Sequence, residues 1–484
     1  MRDSSSTSHK SPRLFRLILE KELRDVIGSA RFAMTFGVAA LLVILTFFIG
    51  AKNYLADRSA YEAAKASDLR QLEGVTDWIS VRDHRVFLPP QPLAVLVSGI
   101  SNDIGRTTEI QGRGEPTASD SRYGNDPVFA VFRFLDLEFL FGTVLSLLAI
   151  AFGYDAVNGE KERGTLALTF ANAVPRSTYI LGKLTGSFLA LVGPLVVCLL
   201  IGSALLPVLG VSLSGSEWVQ LGMIVLAGIL YFSAFLAVAL FVSALTGRSS
   251  HSFLILLAAW ILAVLIIPRV AVLLAGRAVD VPTVDQIATQ KSRLAHQLWT
   301  EDRRKMTAFK PASTSDMSAM ISEFNKFMSG LADERDSKMR ELSNRLAEER
   351  TNAQRRQQGL AFGLARISPA AAFSLAATAL AGTSLNLENR YHDAAVACQD
   401  VFGKFMFQKT GLKLGGRVIA FKNTVGQDEK PRPIDPNELP AFQFTSASLP
   451  DVLYPALPDL GLLAVFNLVF FAGACLAFRR YDVR

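Results

Sequence analysis

The residues whose types and spacing suggest chemistry lie in a charged segment, 153–183, between two apolar runs. The run before it, 139–152, and the run after it, 184–209, contain no Asp, Glu, Lys or Arg. Because apolar runs of this kind cross membranes, the charges between them are expected at a membrane surface. Residues 155–171 contain no proline and can form one helix, which would end before Val174-Pro175 because the residue before a proline avoids helical angles. A charged helix in this place is typical of a surface that contacts another molecule.

No catalytic or metal-binding set emerges elsewhere in the sequence. The five histidines are scattered singly, without metal-ligand spacing, and no nucleophile lies in a Gly-x-Ser-x-Gly turn. Gly182-Lys183 lacks the glycine spacing and the following Ser or Thr of a phosphate-binding loop. We therefore predict no catalytic residue, no metal and no cofactor bound by this chain.

The composition indicates a membrane protein with large water-exposed parts. Of the 484 residues, 50% are hydrophobic and 19% are charged, and the mean hydropathy is +0.30. That is too apolar for an ordinary soluble protein and too charged for membrane spans alone. The net charge of +7 fits basic flanks of spans better than nucleic-acid binding, because no basic stripe alternates with aromatic residues. Cys198 and Cys475 lie in apolar runs and Cys398 is alone in its polar region, so no disulfide framework is expected there.

Six apolar segments are predicted to cross the bilayer, whose hydrocarbon core is about 30 Å thick. They are 32–50, 134–152, 184–209, 218–245, 252–275 and 460–478. Residues 1–31 are basic and carry apolar residues at helical spacing, which predicts a cytoplasmic segment with an amphipathic helix on the membrane surface; the alternative is an extension of the first span. The arginines of the tail 479–484 place the C-terminus in the cytoplasm as well. The predicted fold class is an all-α polytopic membrane protein.

Two long segments are predicted on the extracytoplasmic side. The first, 51–133, begins with residues that continue the first span as a helix, Ala51–Leu72. The second, 276–454, has apolar residues at steps of three and four, which predicts a helical hairpin arm or a short coiled-coil stripe; an ordinary amphipathic helix is the alternative. A small-residue helix from Ser368 to Leu380 is expected on the outer leaflet, and 424–458 is expected to return as an extended chain.

Three charged residues lie at predicted outer ends of spans. Asp136 and Glu138 fall in the first turn of the second span, and Arg269 lies near the end of the fifth. Carboxylates suit the positive end of a helix dipole, and arginine can reach lipid headgroups. We interpret them as interfacial anchors, with a substrate site as the alternative.

The charged segment resembles a known signature. Glu160-Lys161-Glu162-Arg163-Gly164-Thr165-Leu166, followed by Pro175-Arg176 and Gly182-Lys183, is similar to the pattern of type-2 ATP-binding-cassette (ABC) permeases. In that family a Glu-x-Gly-Thr-Leu helix precedes a Pro-Arg turn and a Gly-Lys span start. The six-span layout is similar to that of the permeases of gliding-motility and nitrous-oxide-reductase maturation systems. The sequence departs from the family pattern at Thr169–Asn172, where a leucine-rich run is frequent, and in its two large outer segments.

The resemblance implies a permease subunit in the plasma (inner) membrane of a bacterium, and exporters predominate in the family. It implies two copies of a separate ABC ATPase subunit, which bind ATP, and a second permease as homodimer or heterodimer partner. It also implies a cytoplasmic coupling helix that docks on the ATPase. The residues that carry this role over are Glu160, Glu162, Arg163, Gly164, Thr165, Pro175 and Arg176.

Two further functions remain open from the sequence. The first is a mechanotransmission subunit that moves its 276–454 arm without passage of a solute. The second is a membrane-anchored scaffold or sensor that has no ATPase. The long polar helices favour the first, and co-purification of an ATPase discriminates against the second.

Overall fold

The structure, a computed structural model, describes residues 10–81, 83–111, 116–120, 135–171, 174–310, 317–410 and 433–479. The predicted features that lie wholly or partly outside these ranges include residues 1–9, the tail from 480 to 484, the first part of the extended return (424–432), Asn172, residue 134 of the second predicted span, and parts of the outer segments 51–133 and 276–454. The chain divides into two compact units. The first comprises 1–267 together with 366–484, and the second comprises 268–365.

The α-helices and strands are numbered here in chain order. The helices are α1 Lys10–Ile27, α2 Ala30–Gln71, α3 Leu137–Phe139, α4 Ser146–Gly153, α5 Asn158–Glu162, α6 Thr165–Ala171, α7 Arg176–Val208, α8 Gly215–Leu245, α9 Ser249–Trp260, α10 Ile267–Ala278, α11 Val284–Ala308, α12 Met317–Ala365, α13 Pro369–Leu380, α14 Asn386–Thr410 and α15 Leu449–Arg479. The strands are β1 Asp83–Phe87, β2 Thr107–Gln111 and β3 Thr117–Ser119. Two π-helical segments, Leu140–Leu145 and Ile261–Ile266, join α3 to α4 and α9 to α10.

Six helical stretches in the described ranges are long and apolar enough to cross a membrane, which confirms the predicted fold class. They are Ala30–Gln71, Leu137–Glu162, Arg176–Val208, Gly215–Leu245, Ser249–Ala278 and Leu449–Arg479, called below the first to the sixth span. At 1.5 Å per residue the 42 residues of α2 extend over about 63 Å, roughly twice the thickness of a bilayer core. The first span therefore continues beyond the membrane as a helix, as the sequence predicts.

A small antiparallel sheet in the segment between the first and second spans was not predicted. Its order is β1-β2-β3, with Asp83 opposite Gln111 and Phe87 opposite Thr107 in the first pair. Buried residues of the sheet pack against α14, where Phe402 is fully buried. The strands have three to five residues, too short for a clear alternation in the sequence.

His84 of β1 is a buried titratable group between the sheet and α14. It is 9% exposed, and its ring lies 5.7 Å from the ring of Phe402. Although a carboxylate oxygen of Asp68 lies 3.6 Å from Nδ1, burial dominates and lowers the pKa of His84 to about 4. The ring is therefore neutral at pH 7.

The expectation that 369–380 lies on the outer leaflet is wrong, because α13 is enclosed by protein. Its Phe373 is 1% exposed and stacks on Tyr231 of α8, with ring centroids 5.0 Å apart. Ser368 caps the helix by accepting from the N–H groups of Ala370 and Ala371. The Ser368 hydroxyl also donates to the carbonyl of Ala263 in the second π-helical segment. Small side chains allow α13 to pack closely between spans.

The sixth span begins earlier than predicted. The helix α15 starts at Leu449 and includes Pro455 and Pro458, so the last part of the predicted extended return is helical. Asp459, only 1% exposed, is held by the guanidinium of Arg366 through bonds of 2.6 Å and 3.0 Å. A bidentate pair of this kind compensates a carboxylate in an apolar helix.

The second unit contains the predicted helical hairpin. Arg335 of α12 donates to Asp302 of α11 at 2.8 Å and lies over the Trp299 ring, 4.3 Å from its centroid. Gln357 donates to the Val279 carbonyl at 3.3 Å. Arg335 thus faces the end of α11, and Gln357, further along α12, faces the residues just before α11, so the two helices form an antiparallel pair. The 49 residues of α12 extend over about 74 Å.

Candidate functional site

The charged segment between the second and third spans folds as two short helices rather than one. We call residues 158–171 the elbow; it comprises α5, α6 and the joint at Gly164. The predicted single helix over 155–171 is wrong because Gly164 adopts φ of +72°, a left-handed conformation that glycine accepts without a steric cost. Thr165 then begins α6, and its hydroxyl donates to the Glu160 carbonyl at 3.1 Å.

The start of the elbow is attached to the fourth span. Ser243 Oγ accepts from the N–H groups of Val157 and Asn158 at 3.0 and 3.3 Å, and it donates to Asn158 Oδ1 at 3.1 Å. The amide nitrogen of Asn158 donates to Thr246 Oγ1 at 3.0 Å. Because Ser243 and Asn158 are fully buried, these bonds satisfy the first N–H groups of α5 without water.

Glu162 attaches the end of α5 to the fifth span. Its Oε1 accepts from the backbone N–H of Ser249, and its Oε2 from the Ser249 hydroxyl, both at 2.8 Å. Ser249 is the first residue of α9, so the carboxylate lies at the positive end of that helix. Glu162 is exposed to solvent but is bonded within the chain.

Glu160 lies inside the protein, at the centre of a buried ionic network. Its Oε1 accepts from the ammonium groups of Lys21 and Lys183, each at 3.1 Å, and its Oε2 accepts from the Tyr179 hydroxyl at 2.6 Å. Lys183 also donates to Glu22 Oε2 at 2.7 Å. Two carboxylates and two ammonium groups balance in charge, as buried ions require.

The same network brings the N-terminal helix α1 against the third span. Glu22 of α1 accepts from Ser187 of α7 at 2.9 Å. Close approach depends on two glycines of α7: a Cβ at Gly182 would lie 2.8 Å from Ile18 Cγ2, and a Cβ at Gly186 would lie 2.7 Å from Glu22 Cβ. The elbow, α1 and α7 are therefore joined as one packed group.

The end of the elbow and the first residue of the third span both contact the sixth span. Arg176, the first residue of α7, donates to the carbonyls of Phe478 and Arg479 at the end of α15. A cation in this place satisfies helix-terminal carbonyls and complements the helix dipole. The Phe478 ring also stacks on Tyr179, with centroids 5.1 Å apart, and lies 5.8 Å from the Phe170 ring of α6.

Comparison with known proteins supplies the family. A family model described as ABC-2 family transporter protein matches residues 16–483. The chain belongs to this family. A comparison with curated proteins gives no match. As an ABC-2 family member the chain is a permease subunit of an ABC transporter and a multi-pass membrane protein, and permeases of this family generally partner with an ABC ATPase.

One face of the elbow in this ABC-2 permease is exposed. Arg163, Gly164 and Thr165 are exposed at the joint, and Leu168 of α6 is 69% exposed. Leu166, two residues earlier, is 1% exposed and packs into the protein. The exposed face therefore presents a cation, a hydroxyl and a large apolar side chain.

The structure separates the residues that the sequence assigned to ATPase coupling. Glu160 points into the network and is 5% exposed, and Glu162 is engaged by Ser249. Pro175 is exposed at the N-cap position of α7, where it makes no side-chain cap. The next residue, Arg176, donates to the end of the sixth span. A Cβ at Gly164 would meet nothing within 4 Å, so no close packing against the described residues of the chain requires a glycine there. The structural requirement at Gly164 is its backbone conformation.

The residues of the site that sequence analysis did not assign include Glu22, Tyr179, Lys183 and Leu168. A lysine beside an apolar run needs a partner, so the sequence could have indicated that Lys183 is paired. Nothing local in the sequence identifies that partner, because Glu22 lies 161 residues away.

The three predicted outer charges of this ABC-2 permease differ in their immediate surroundings. Asp136, which is 7% exposed, caps α3 by accepting from Phe139 N at 2.8 Å, and it also accepts from the Ser98 hydroxyl at 2.8 Å. Glu138 accepts from the Ser374 hydroxyl of α13. Arg269 is exposed on α10, in the second unit.

Proposed function

We propose that the elbow is the coupling element of this permease, and that a separate ABC ATPase docks on its exposed face. The face is centred on Arg163, Thr165 and Leu168, and the buried network holds it from behind. The observation that carries the proposal is the combination of one exposed face with attachments to several spans. A surface loop without a docking role would not require buried bonds to elements so far apart in sequence.

The attachments explain how a push on the elbow would reach the spans. Ser243 leads to the fourth span, Ser249 to the fifth and Lys183 to the third. The Phe170 ring of α6 lies against Phe478 of the sixth span. When ATP binding closes the two ATPase copies, force on the elbow displaces the ends of all four spans together. This is a rigid-body route to alternating access at the permease interface.

The proposed assembly contains two ATPase copies, which bind ATP, and two permeases that form a homodimer or heterodimer. Its proposed place is the inner membrane of a bacterium, with both permease termini in the cytoplasm, since basic residues flank the first and sixth spans. Export is the proposed direction, because exporters predominate among type-2 permeases.

Substitution on the exposed face tests the docking role. Arg163→Glu reverses the charge of the face, and Leu168→Asp places a carboxylate where a buried apolar contact is expected. Each is expected to weaken ATPase binding about tenfold or more, the usual effect of losing a central interface residue. The measurement is the affinity of the purified full-length permease for its ATPase, followed by ATPase stimulation in the reconstituted complex.

A matched control uses Arg293, an exposed arginine of α11. Arg293→Glu makes the same charge change on the second unit and is expected to leave ATPase affinity unchanged. Equal affinity of Arg163→Glu, Leu168→Asp and wild type would reject the docking face. Failure of any ATPase to associate with the wild-type chain would favour a scaffold or sensor.

Mechanotransmission is a second candidate function, and the hairpin favours it. The pairs Arg335–Asp302 and Lys305–Glu334 hold α11 against α12, which makes the unit suitable for transmitting a displacement along its length. Nitroxide labels at Asn325 in two permeases of one complex would report this by pulsed electron resonance. An ATP-dependent shift of the label distance is expected, and an unchanged distance in a complex that hydrolyses ATP would exclude an arm movement.

A further inference from the structure

The second π-helical segment, Ile261–Ile266, interrupts the fifth span just before Pro268. In an α-helix the ring of Pro268 would collide with the carbonyl of Val264, four residues earlier. A π-helical turn bonds each N–H to the fifth preceding carbonyl instead, as the N–H of Ile267 does here with the carbonyl of Leu262. The proline therefore gives a local reason for the π geometry.

The carbonyl of Ala263 receives its donor from outside the span. In the π pattern the backbone donor to this carbonyl would be residue 268, and a proline has no N–H. The hydroxyl of Ser368 donates to the Ala263 carbonyl, and Ser368 is fully buried. Because an unpaired carbonyl inside a membrane protein is costly, this bond holds the segment to the start of α13. We call the bond between Ser368 and Ala263 the latch.

The helix that precedes the segment is anchored to the second span. Trp260, the last residue of α9, is 7% exposed, and its indole N–H donates to the Ser146 hydroxyl at 2.8 Å. Closer to the start of α9, the Phe253 ring packs edge-on against the Tyr154 ring, with centroids 5.4 Å apart. The fifth span is therefore fixed up to the residue at which the π-helical segment begins.

The segment itself is weakly packed. None of its side chains is buried, and Leu262 and Ile266 are 50% and 44% exposed. The π-helical segment of the second span differs, because Leu140, Phe141 and Leu145 are buried there. Packing therefore holds the segment of the second span, whereas the latch is the main restraint on the segment of the fifth.

Both chain connections of the second unit pass the latch. That unit begins at Pro268 and ends at Ala365, so the latch joins a residue shortly before it, Ala263, to a residue shortly after it, Ser368. Because the two connections adjoin, the hairpin of α11 and α12 can change its direction by a bend at one point of the chain, without stretching either connection.

We propose that residues 261–268 are a hinge of the fifth span, and that the Ser368 hydroxyl is the latch that closes it. Helices bend sharply at π-helical turns and at prolines, and hinge movements are concentrated in a few residues. A closed latch holds the segment to α13. An open latch allows the end of the span, and the hairpin that follows it, to turn relative to α9. The hinge belongs to the permease chain alone and does not depend on ATPase docking at the elbow.

Amide hydrogen exchange of the full-length permease in lipid nanodiscs, without an ATPase, tests the hinge. Ser368→Ala removes the latch donor and is expected to accelerate exchange of residues 262–267 about fivefold, the effect of one lost hydrogen bond. Pro268→Ala removes the ring and supplies a backbone N–H, so exchange slower than in wild type is expected there. The control Ser203→Ala removes a hydroxyl that bonds only within the third span, to the Leu200 carbonyl, and should leave this exchange unchanged.

A double variant separates the latch from the cap of α13, since Ser368 also accepts from the N–H groups of Ala370 and Ala371. When Pro268→Ala is added to Ser368→Ala, the backbone can donate to the Ala263 carbonyl, whether the turn stays π-helical or becomes α-helical, but the cap stays absent. We expect exchange of residues 262–267 to return to the wild-type rate or below it. Exchange as fast as in Ser368→Ala alone would assign the effect to the cap and overturn the proposal.

Pulsed electron resonance reports whether the span bends. Nitroxide labels at Leu254 and Leu274, which are 62% and 51% exposed, lie on either side of the hinge. Labels at Leu226 and Leu245 of α8, which are 44% and 60% exposed, form a control pair at a similar separation in an uninterrupted helix. The labelled chain lacks its three natural cysteines and is diluted with unlabelled chain, so that distances within one chain are measured.

The expected distance distribution is broader for the hinge pair than for the control pair. It should broaden further in Ser368→Ala and become as narrow as that of the control in Pro268→Ala. If Ser368→Ala does not fold, Pro268→Ala alone decides, through slower exchange and a narrower distribution. Equal widths of the two pairs in wild type, or exchange in Pro268→Ala as fast as in wild type, would overturn the hinge.

Discussion

Replacement of Lys183 by methionine is the sharpest test of the buried network behind the elbow. The side chains of Lys183, Glu22 and Glu160 are 5%, 9% and 6% exposed, and the ammonium bonds both carboxylates at 2.7 and 3.1 Å. Lys183→Met leaves two carboxylates in an apolar setting, with only the half-exposed Lys21 beside them. Removing one partner of a buried ion pair costs about 3–5 kcal/mol, and we expect a loss of that size.

The assay has a global and a local readout. Unfolding of the purified chain in mixed micelles gives the free energy of unfolding, and amide hydrogen exchange reports whether α1 separates from α7. We expect faster exchange in α1 of Lys183→Met. The control Lys326→Met removes an exposed ammonium on α12 and should change the free energy of unfolding by less than about 0.5 kcal/mol.

A compound variant separates lost charge balance from lost packing. Replacing Glu22, Glu160 and Lys183 together by methionine removes every deeply buried charge of the network. Apolar replacement of a whole buried ionic group is often neutral or stabilising, although the Tyr179 and Ser187 hydroxyls each lose a carboxylate acceptor at a cost of about 1 kcal/mol. The compound variant should therefore be more stable than Lys183→Met. If Lys183→Met proves as stable as Lys326→Met, with unchanged exchange in α1, the ionic account of the elbow is refuted.

Three further predictions follow from single residues. Gly164→Ala should lower the free energy of unfolding by about 1–2 kcal/mol, because φ is +72° there. The control Gly363→Ala within α12 should be neutral or stabilising. Equal effects of the two substitutions on the free energy of unfolding would contradict the left-handed joint. Arg366→Gln should cost more stability than Asp459→Asn, because the first leaves a carboxylate that is 1% exposed without its cation while the second leaves a partly hydrated guanidinium. Equal free energies of unfolding for the two variants would contradict this role of the pair. The free energy of unfolding should fall as the pH drops from about 6.5 towards about 4. Burial holds the pKa of His84 near 4 in the folded protein, while the ring in the unfolded chain takes up a proton. The variant His84→Gln should lack this pH-dependent loss of stability in the same pH series.

The spans were predictable because an apolar run is a local property of the sequence. Hydropathy marks the part of a helix that faces lipid, however, and not where the helix begins. That is why α15 starts at Leu449, ahead of the predicted 460, with Pro455 and Pro458 inside it. For the same reason the small-residue run 369–380 gave no sign that α13 would be enclosed by other helices.

The elbow was predictable in place but not in shape. Its charges and position mark a surface element, yet the break depends on the conformation of Gly164, which no neighbouring residue indicates. The inward direction of Glu160 follows from Glu22, Lys21 and Lys183, which are brought to it by packing of α1 on α7. Pairings over such separations are fixed by tertiary structure and leave no local pattern.

Photo-crosslinking from position 168 in native membranes tests the central claim most directly. A photoreactive residue replaces Leu168, which is 69% exposed on the elbow, and a second chain carries the same residue at Arg293 as control. We predict that position 168 captures an ABC ATPase subunit and that position 293 does not. Capture of the ATPase from position 293, or its absence from position 168 in a complex that hydrolyses ATP, would contradict the coupling role of the elbow.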